Sequence, residues 1–127
     1  TYCNSIPIGT RSEIVDLKML KRCYQLIQDP ESSEYMTWML NRSDYFKTQK
    51  LIYPNSKINR PEISLTVDDK ENYLNIQKIY NYFKENLVSL EKIVEWIDMN
   101  PKFLKKLIQI KNQQKNLKNI NYKFKNE

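Results

Sequence analysis

Two adjacent aspartates, Asp68 and Asp69, are the residues of this chain whose type and position best suit chemistry. They follow residues 63–67, where apolar side chains alternate with Ser64 and Thr66, a pattern typical of a half-buried strand. In open α/β sheets, ligands gather at the carboxyl ends of the strands. A carboxylate there suits Mg²⁺, which needs only one or two protein carboxylates beside a ligand's phosphates. Asp68 is therefore a candidate magnesium ligand.

The same two aspartates also have a purely structural interpretation. Asp68 and Glu71 are three residues apart, as in a helix N-cap and its reciprocal partner. An N-cap carboxylate is worth about 1 kcal/mol, and either Asp68 or Asp69 could supply it. Local spacing favours capping, although one aspartate could cap the helix while the other faces a ligand. The helix that follows has a broad apolar face, predicted from Tyr73, Leu74, Ile76, Gln77, Tyr80 and Phe83.

Local signals predict the other elements that would position these carboxylates. Asp16 is expected to cap a helix over residues 17–28, and Ser89 and Pro101 to open two more. The buried face of the first helix is predicted to comprise Leu17, Leu20, Tyr24 and Ile27. A helix over residues 31–42 is expected to bury Tyr35, Met36, Met39 and Leu40, with Trp38 at an edge. Short strands are predicted at 13–15, 48–54 and 63–67.

Composition excludes several classes of site. The 127 residues contain no histidine and two cysteines, Cys3 and Cys23, which is too few ligands for a zinc site. Neither of the glycine-rich phosphate-binding signatures occurs, and no apolar run is long enough to span a membrane. The net charge of +6 permits binding to an acidic partner. Nucleic acid is not the favoured partner, because the positive charge is diffuse and specifies no defined binding surface. Cytoplasmic residence is the expectation.

Three segments, in order, resemble the C-terminal half of a sugar cytidylyltransferase of the spore-coat polysaccharide type, related to the CMP-Kdo and CMP-sialic acid synthetases. The segments are IPIGTRSEIVDLKMLKRCYQL, SSEYMTWMLNRSDYF and ISLTVDDKENYLNIQKIYNYF, and VSLEKIVEWIDMNPKFLKK is similar to the helical end of that branch. The sequence departs from the family pattern at Arg11, Tyr35, Trp38, Asp69 and Lys70.

The resemblance implies the C-terminal portion of a Rossmann-like α/β nucleotidyltransferase fold with a helical C-terminal extension. Residues 1–86 would belong to the α/β domain, 87–111 to the extension and 112–127 to a frayed Asn/Lys-rich tail. The complete enzyme would couple CTP to a sugar acid with Mg²⁺, releasing pyrophosphate, and could be a homodimer. By this likeness Asp68 holds magnesium, and the substrate-binding residues are Gly9, Arg11, Glu13 and Thr37. Arg11 is a candidate for binding a sugar carboxylate through bidentate geometry.

The family's N-terminal strand and its basic CTP-binding loop have no counterpart in this sequence, so the isolated chain is expected to be inactive and to need a missing N-terminal half. The opening residues, which lack a methionine, also suggest a fragment. The alternative hypothesis is a small basic, mainly helical interaction module that binds an acidic partner or nucleic acid.

Overall fold

The computed structural model describes residues 3–28, 36–85, 87–115 and 123–125. These residues form five α-helices: α1 (Leu17–Leu26), α2 (Met36–Leu40), α3 (Lys70–Phe83), α4 (Leu90–Asp98) and α5 (Pro101–Lys115). A short 3₁₀ turn spans Ser56–Ile58. Among the described helices, none is long and apolar enough to cross a membrane.

The chain divides into two compact units. Unit 1 comprises residues 1–2, 12–51 and 118–127, and unit 2 comprises residues 3–11 and 52–117. The division into segments 1–86, 87–111 and 112–127 stays a prediction, because it concerns the parent enzyme. Of the predicted tail, the described residues are 112–115, which continue α5, and 123–125.

Helix α1 organises unit 1. The Asp16 carboxylate accepts hydrogen bonds from the backbone N–H groups of Lys18 (2.7 Å) and Met19 (3.3 Å), so the predicted N-cap is confirmed. One cluster forms the core around the helix, with the buried members Cys23, Ile27, Met39, Phe46 and Phe124. Residues 123–125 return to the C-terminal end of α1, where Ile27 and Phe124 form an antiparallel bridge.

The predicted buried face of α1 is wrong in part. Leu17 is 63% exposed and Tyr24 is 58% exposed, whereas Cys23 is fully buried. Ile27 is buried as expected. Apolar residues occur on two neighbouring stripes of this helix, and packing against the rest of unit 1 selected the stripe that includes Cys23.

In unit 2, residues 63–65 lie in the core beside three helices. The cluster comprises Ile63, Leu65, Ile79 of α3, Ile97 of α4 and Leu107 of α5. A second cluster joins Cys3, Ile6, Ile58 and Val94. Ser89 caps α4 and Pro101 is the first residue of α5, so both predicted helix starts are confirmed.

Two of the three predicted strands are represented by isolated bridges. Residues 13–15 form no strand within the described part of the chain, and of residues 48–54 only Lys50 lies in an isolated bridge. Of residues 63–67, Ser64 forms a parallel bridge with Ile8. The Rossmann-like α/β class stays a prediction. In the predicted second helix, α2 covers residues 36–40, Met39 is buried and Trp38 is exposed, while Tyr35 lies outside the described residues.

Candidate functional site

The first and third motifs of the resemblance meet in unit 2. The backbone N–H of Ile8 donates to the carbonyl of Ile63 (3.0 Å), and the N–H of Leu65 donates to the carbonyl of Ile8 (2.8 Å). These two hydrogen bonds form a parallel bridge between segments more than fifty residues apart in sequence. The motif that contains Gly9 is thereby held beside the segment that leads to Asp68.

Gly9 lies directly against the backbone of that segment. Its φ is +91°, which is a conformation that residues with a side chain rarely adopt. A Cβ atom placed on Gly9 would be 2.7 Å from the carbonyl carbon and oxygen of Leu65 and 2.7 Å from the nitrogen of Thr66. Both the close approach and the backbone conformation therefore require glycine at this position.

Asp69, and not Asp68, caps α3. The Asp69 carboxylate accepts a hydrogen bond from the backbone N–H of Asn72 (2.8 Å), and the Asp69 backbone is extended. Asp68 is exposed, and its backbone N–H donates to the side-chain oxygen of Asn72 (3.3 Å). The capping role that made Asp68 ambiguous in the sequence therefore belongs to its neighbour.

Removing the α3 cap should have a measurable cost in stability. Asp69→Ala is expected to lower the free energy of unfolding by about 1 kcal/mol, because the N–H of Asn72 loses its acceptor. Asp69→Asn should retain most of that stability, since asparagine caps helices as well as aspartate does. Urea unfolding followed by circular dichroism measures both variants. An equal loss in Asp69→Asn would show that the negative charge, and not the cap hydrogen bond, is what stabilises the helix.

Sequence reasoning missed Asn72, which joins three parts of this junction. Its side-chain oxygen accepts from the Asp68 N–H and from the Thr66 hydroxyl (3.4 Å). It is buried, as is Asn75 one turn later. The spacing of Asn72, three residues after Asp69, could have indicated a role at the helix start. Asn72 thus orients the backbone on which Asp68 is carried.

Arg11, the candidate for binding a sugar carboxylate, also belongs to unit 2. Its side chain is half-buried, and its Nε donates to the carbonyl of Ile6 (2.9 Å). Burial lowers the pKa of Arg11, although a guanidinium still stays charged at neutral pH. A hydrogen bond with the Ser5 side chain lowers the pKa of the nearby Cys3 thiol, and the charge of Arg11 acts in the same direction.

Glu13 and Thr37 belong to unit 1. Glu13 lines a cavity of about 270 Å³ beside the start of α1, with Asn41, Lys47 and Thr48 among the other polar residues of its lining. Thr37 is half-buried on α2, and its carbonyl accepts from the N–H of Asn41 (3.1 Å). Of the residues predicted for the site, unit 2 thus holds Gly9, Arg11 and Asp68, and unit 1 holds Glu13 and Thr37.

A magnesium ion would fit Asp68 only together with a ligand that brings oxygen atoms of its own. Among the described residues, no group of three or more acidic, cysteine or histidine side chains could hold a metal ion. Mg²⁺ commonly keeps several waters and binds one or two carboxylates together with substrate phosphates. The single exposed carboxylate of Asp68 is compatible with that donor set.

Comparison of the chain with family models, curated proteins and solved structures gives no match.

Proposed function

We propose that this chain is the C-terminal portion of a CTP-dependent cytidylyltransferase with a Rossmann-like fold, which joins CMP to a sugar and releases pyrophosphate for surface polysaccharide or glycan synthesis. The observation that carries this proposal is the packing of Gly9 against the backbone of Leu65 and Thr66. It brings two motifs of the resemblance together in space. Asp68 follows the segment that pairs with Ile8 through Ser64, and the capping role is taken by Asp69.

In this proposal Asp68 is one ligand of a magnesium ion that also binds the phosphates of CTP. The metal would neutralise charge on the triphosphate as pyrophosphate leaves. Asn72 positions the Asp68 backbone, and Asp69 holds the start of α3. The chain has no glycine-rich phosphate loop, so most triphosphate contacts are assigned to an N-terminal half that precedes these residues in the complete enzyme.

The test uses the native polypeptide, whose intact mass in its source establishes whether it extends upstream of Thr1. We expect it to release pyrophosphate from CTP in the presence of a sugar acid, and we expect EDTA to stop the reaction. Asp68→Asn should lower turnover on the order of tenfold or more, because one metal ligand loses its charge. Asp69→Asn is the matched control, since it makes the same chemical change at the adjacent residue and preserves the N-cap of α3.

Two results would overturn the proposal. One is the absence of pyrophosphate release with every sugar acid tried, and the other is an equal effect of the two aspartate substitutions. CMP-sugar formation by residues 1–127 alone would refute the assignment of the triphosphate contacts to another half.

A second candidate function is favoured by the charge of α1. Lys18, Lys21 and Arg22 are exposed, and the helix contains no acidic residue. Such a surface could bind an acidic partner or nucleic acid. Binding of that kind weakens steeply as salt rises and is insensitive to EDTA, whereas a nucleotide held through magnesium dissociates on chelation. The two dependences therefore separate the candidates.

A further inference from the structure

The cavity beside the start of α1 is lined by three chemically different kinds of side chain. Met19, Leu40 and Phe46 form an apolar floor, because Phe46 is buried in the core of unit 1 and the other two pack against that core. Glu13 and Lys47 are exposed and lie at the rim. An acidic group, a basic group and an apolar surface thus line one cavity of about 270 Å³, and all of them belong to unit 1.

The two charges of the rim are not paired with each other. Within the described part of the chain, neither the Glu13 carboxylate nor the Lys47 ammonium group forms an ion pair, although both line the same cavity. Asp16, the other carboxylate of the lining, already accepts two backbone hydrogen bonds as the cap of α1. An anion alone would lie near the Glu13 carboxylate and a cation alone near the Lys47 ammonium group, and such like-charge contacts are unfavourable. The lining therefore favours a ligand that carries both signs of charge.

The size of the cavity limits this zwitterionic ligand. Its volume of about 270 Å³ lies just below the range of about 300–1,000 Å³ that is usual for drug-sized ligands, so a small metabolite suits it. The apolar floor requires that the ligand also carries an apolar group. An α-amino acid with an apolar side chain meets all three requirements, because its ammonium group, its carboxylate and its side chain are attached to one carbon atom.

We propose that this cavity of unit 1 binds a free α-amino acid with an apolar side chain, and that Glu13 pairs with the ammonium group of the ligand while Lys47 pairs with its carboxylate. The side chain of the ligand packs on Met19, Leu40 and Phe46. The inference goes beyond the proposed function, since it requires neither CTP nor magnesium. It also assigns Glu13 to an ammonium group, whereas the resemblance assigns this residue to the sugar.

The test is a titration of the ¹⁵N-labelled chain, followed by amide chemical shifts, with L-leucine, L-methionine and L-phenylalanine. We expect at least one of them to shift the amides of residues 13–19 and 41–48. Its N-acetyl derivative, which lacks the positive charge, and its methyl ester, which lacks the negative charge, should each bind about fivefold more weakly. Glycine lacks the apolar side chain and should bind at least tenfold more weakly. The titrations are run at about pH 6, where the amino group of the ester is still protonated.

Two substitutions assign the charges, and each is a control for the other. Glu13→Gln should abolish the preference over the N-acetyl derivative and retain the preference over the ester, whereas Lys47→Ala should do the reverse. Lys50→Ala should retain both preferences, because Lys50 is an exposed lysine of the same segment that does not line the cavity. A dispersed amide spectrum establishes that each variant is folded before its affinity is compared.

Absence of shifts around the cavity with all three amino acids, or equal binding of glycine, would overturn the site. A preference over the N-acetyl derivative that survives Glu13→Gln would overturn the role of Glu13. A preference over the ester that survives Lys47→Ala would overturn the role of Lys47. None of these results depends on CTP, whereas the proposed function is decided by magnesium-dependent pyrophosphate release, so the failure of one proposal is distinguishable from the failure of the other.

Discussion

Gly9→Ala is expected to destabilise unit 2 by about 3 kcal/mol or more. The added Cβ would lie 2.7 Å from three backbone atoms of Leu65 and Thr66, and backbone cannot rotate away as a flexible side chain can. Alanine would also have to adopt a φ near +91°, which itself costs on the order of 1–3 kcal/mol. The two costs act together, because relieving the overlap requires the Ile8–Ser64 bridge to open.

The effect can be measured in unit 2 alone. In a Trp38→Phe background the remaining tryptophan is Trp96, which packs against Phe83 and Phe103, so its fluorescence during urea unfolding reports on this unit. Asn4→Ala is the control, since Asn4 is an exposed residue of the same N-terminal segment. We expect its unfolding midpoint to be unchanged. A Gly9→Ala variant as stable as this control would show that the 7–10 turn does not lie against Leu65.

Phe124→Ala is expected to destabilise unit 1 by about 3–5 kcal/mol, the usual cost of removing a buried phenylalanine. Phe124 is 3% exposed, although it belongs to a stretch that composition predicts to be a frayed tail. Its ring centroid lies 4.3 Å from that of Tyr45 and 6.1 Å from that of Phe46. The Arg42 guanidinium lies 5.0 Å from the centre of the Phe124 ring, which adds a cation–π contact.

Hydrogen exchange of the α1 amides provides the measurement, because Phe124 packs in the cluster that buries Cys23 and Ile27. Faster exchange in Phe124→Ala is the expected result. Lys125→Ala is the matched control: its side chain is exposed, and its backbone N–H can still donate to the carbonyl of Leu26. Unchanged exchange in Phe124→Ala would mean that the Phe124 ring does not contribute to the stability of unit 1.

Local chemistry made the helix starts predictable. Asp16, Ser89 and Pro101 each act within one turn of their own position, so their effect needs no information about the rest of the chain. The face that α1 buries was harder to predict from the sequence, because the apolar residues of this helix form two adjacent stripes. Packing partners distant in sequence, such as Phe46 and Phe124, decided in favour of the stripe with Cys23.

At the candidate site, too, some features were predictable from the sequence and others were decided by the tertiary structure. The presence of two aspartates after an alternating apolar stretch is visible in the sequence, and so is the capacity of either one to cap the next helix. Which of them does so was decided by the backbone geometry at the junction, where the side chain of Asn72 accepts from the Asp68 N–H while the Asn72 N–H donates to Asp69. Neither residue type nor spacing distinguishes these two arrangements.

The sequence by itself determined the helix boundaries that depend on capping and the classes of site excluded by composition, such as a zinc centre. Only the tertiary structure decided that Gly9 lies against Leu65, that Phe124 is buried, and that Lys47 and Glu13 line one cavity. The physical reason is the separation along the sequence over which each kind of interaction acts. Capping and periodicity act over three or four neighbouring residues, whereas the residues brought together here are 34 to more than 50 positions apart in sequence, and their proximity depends on how each unit packs as a whole.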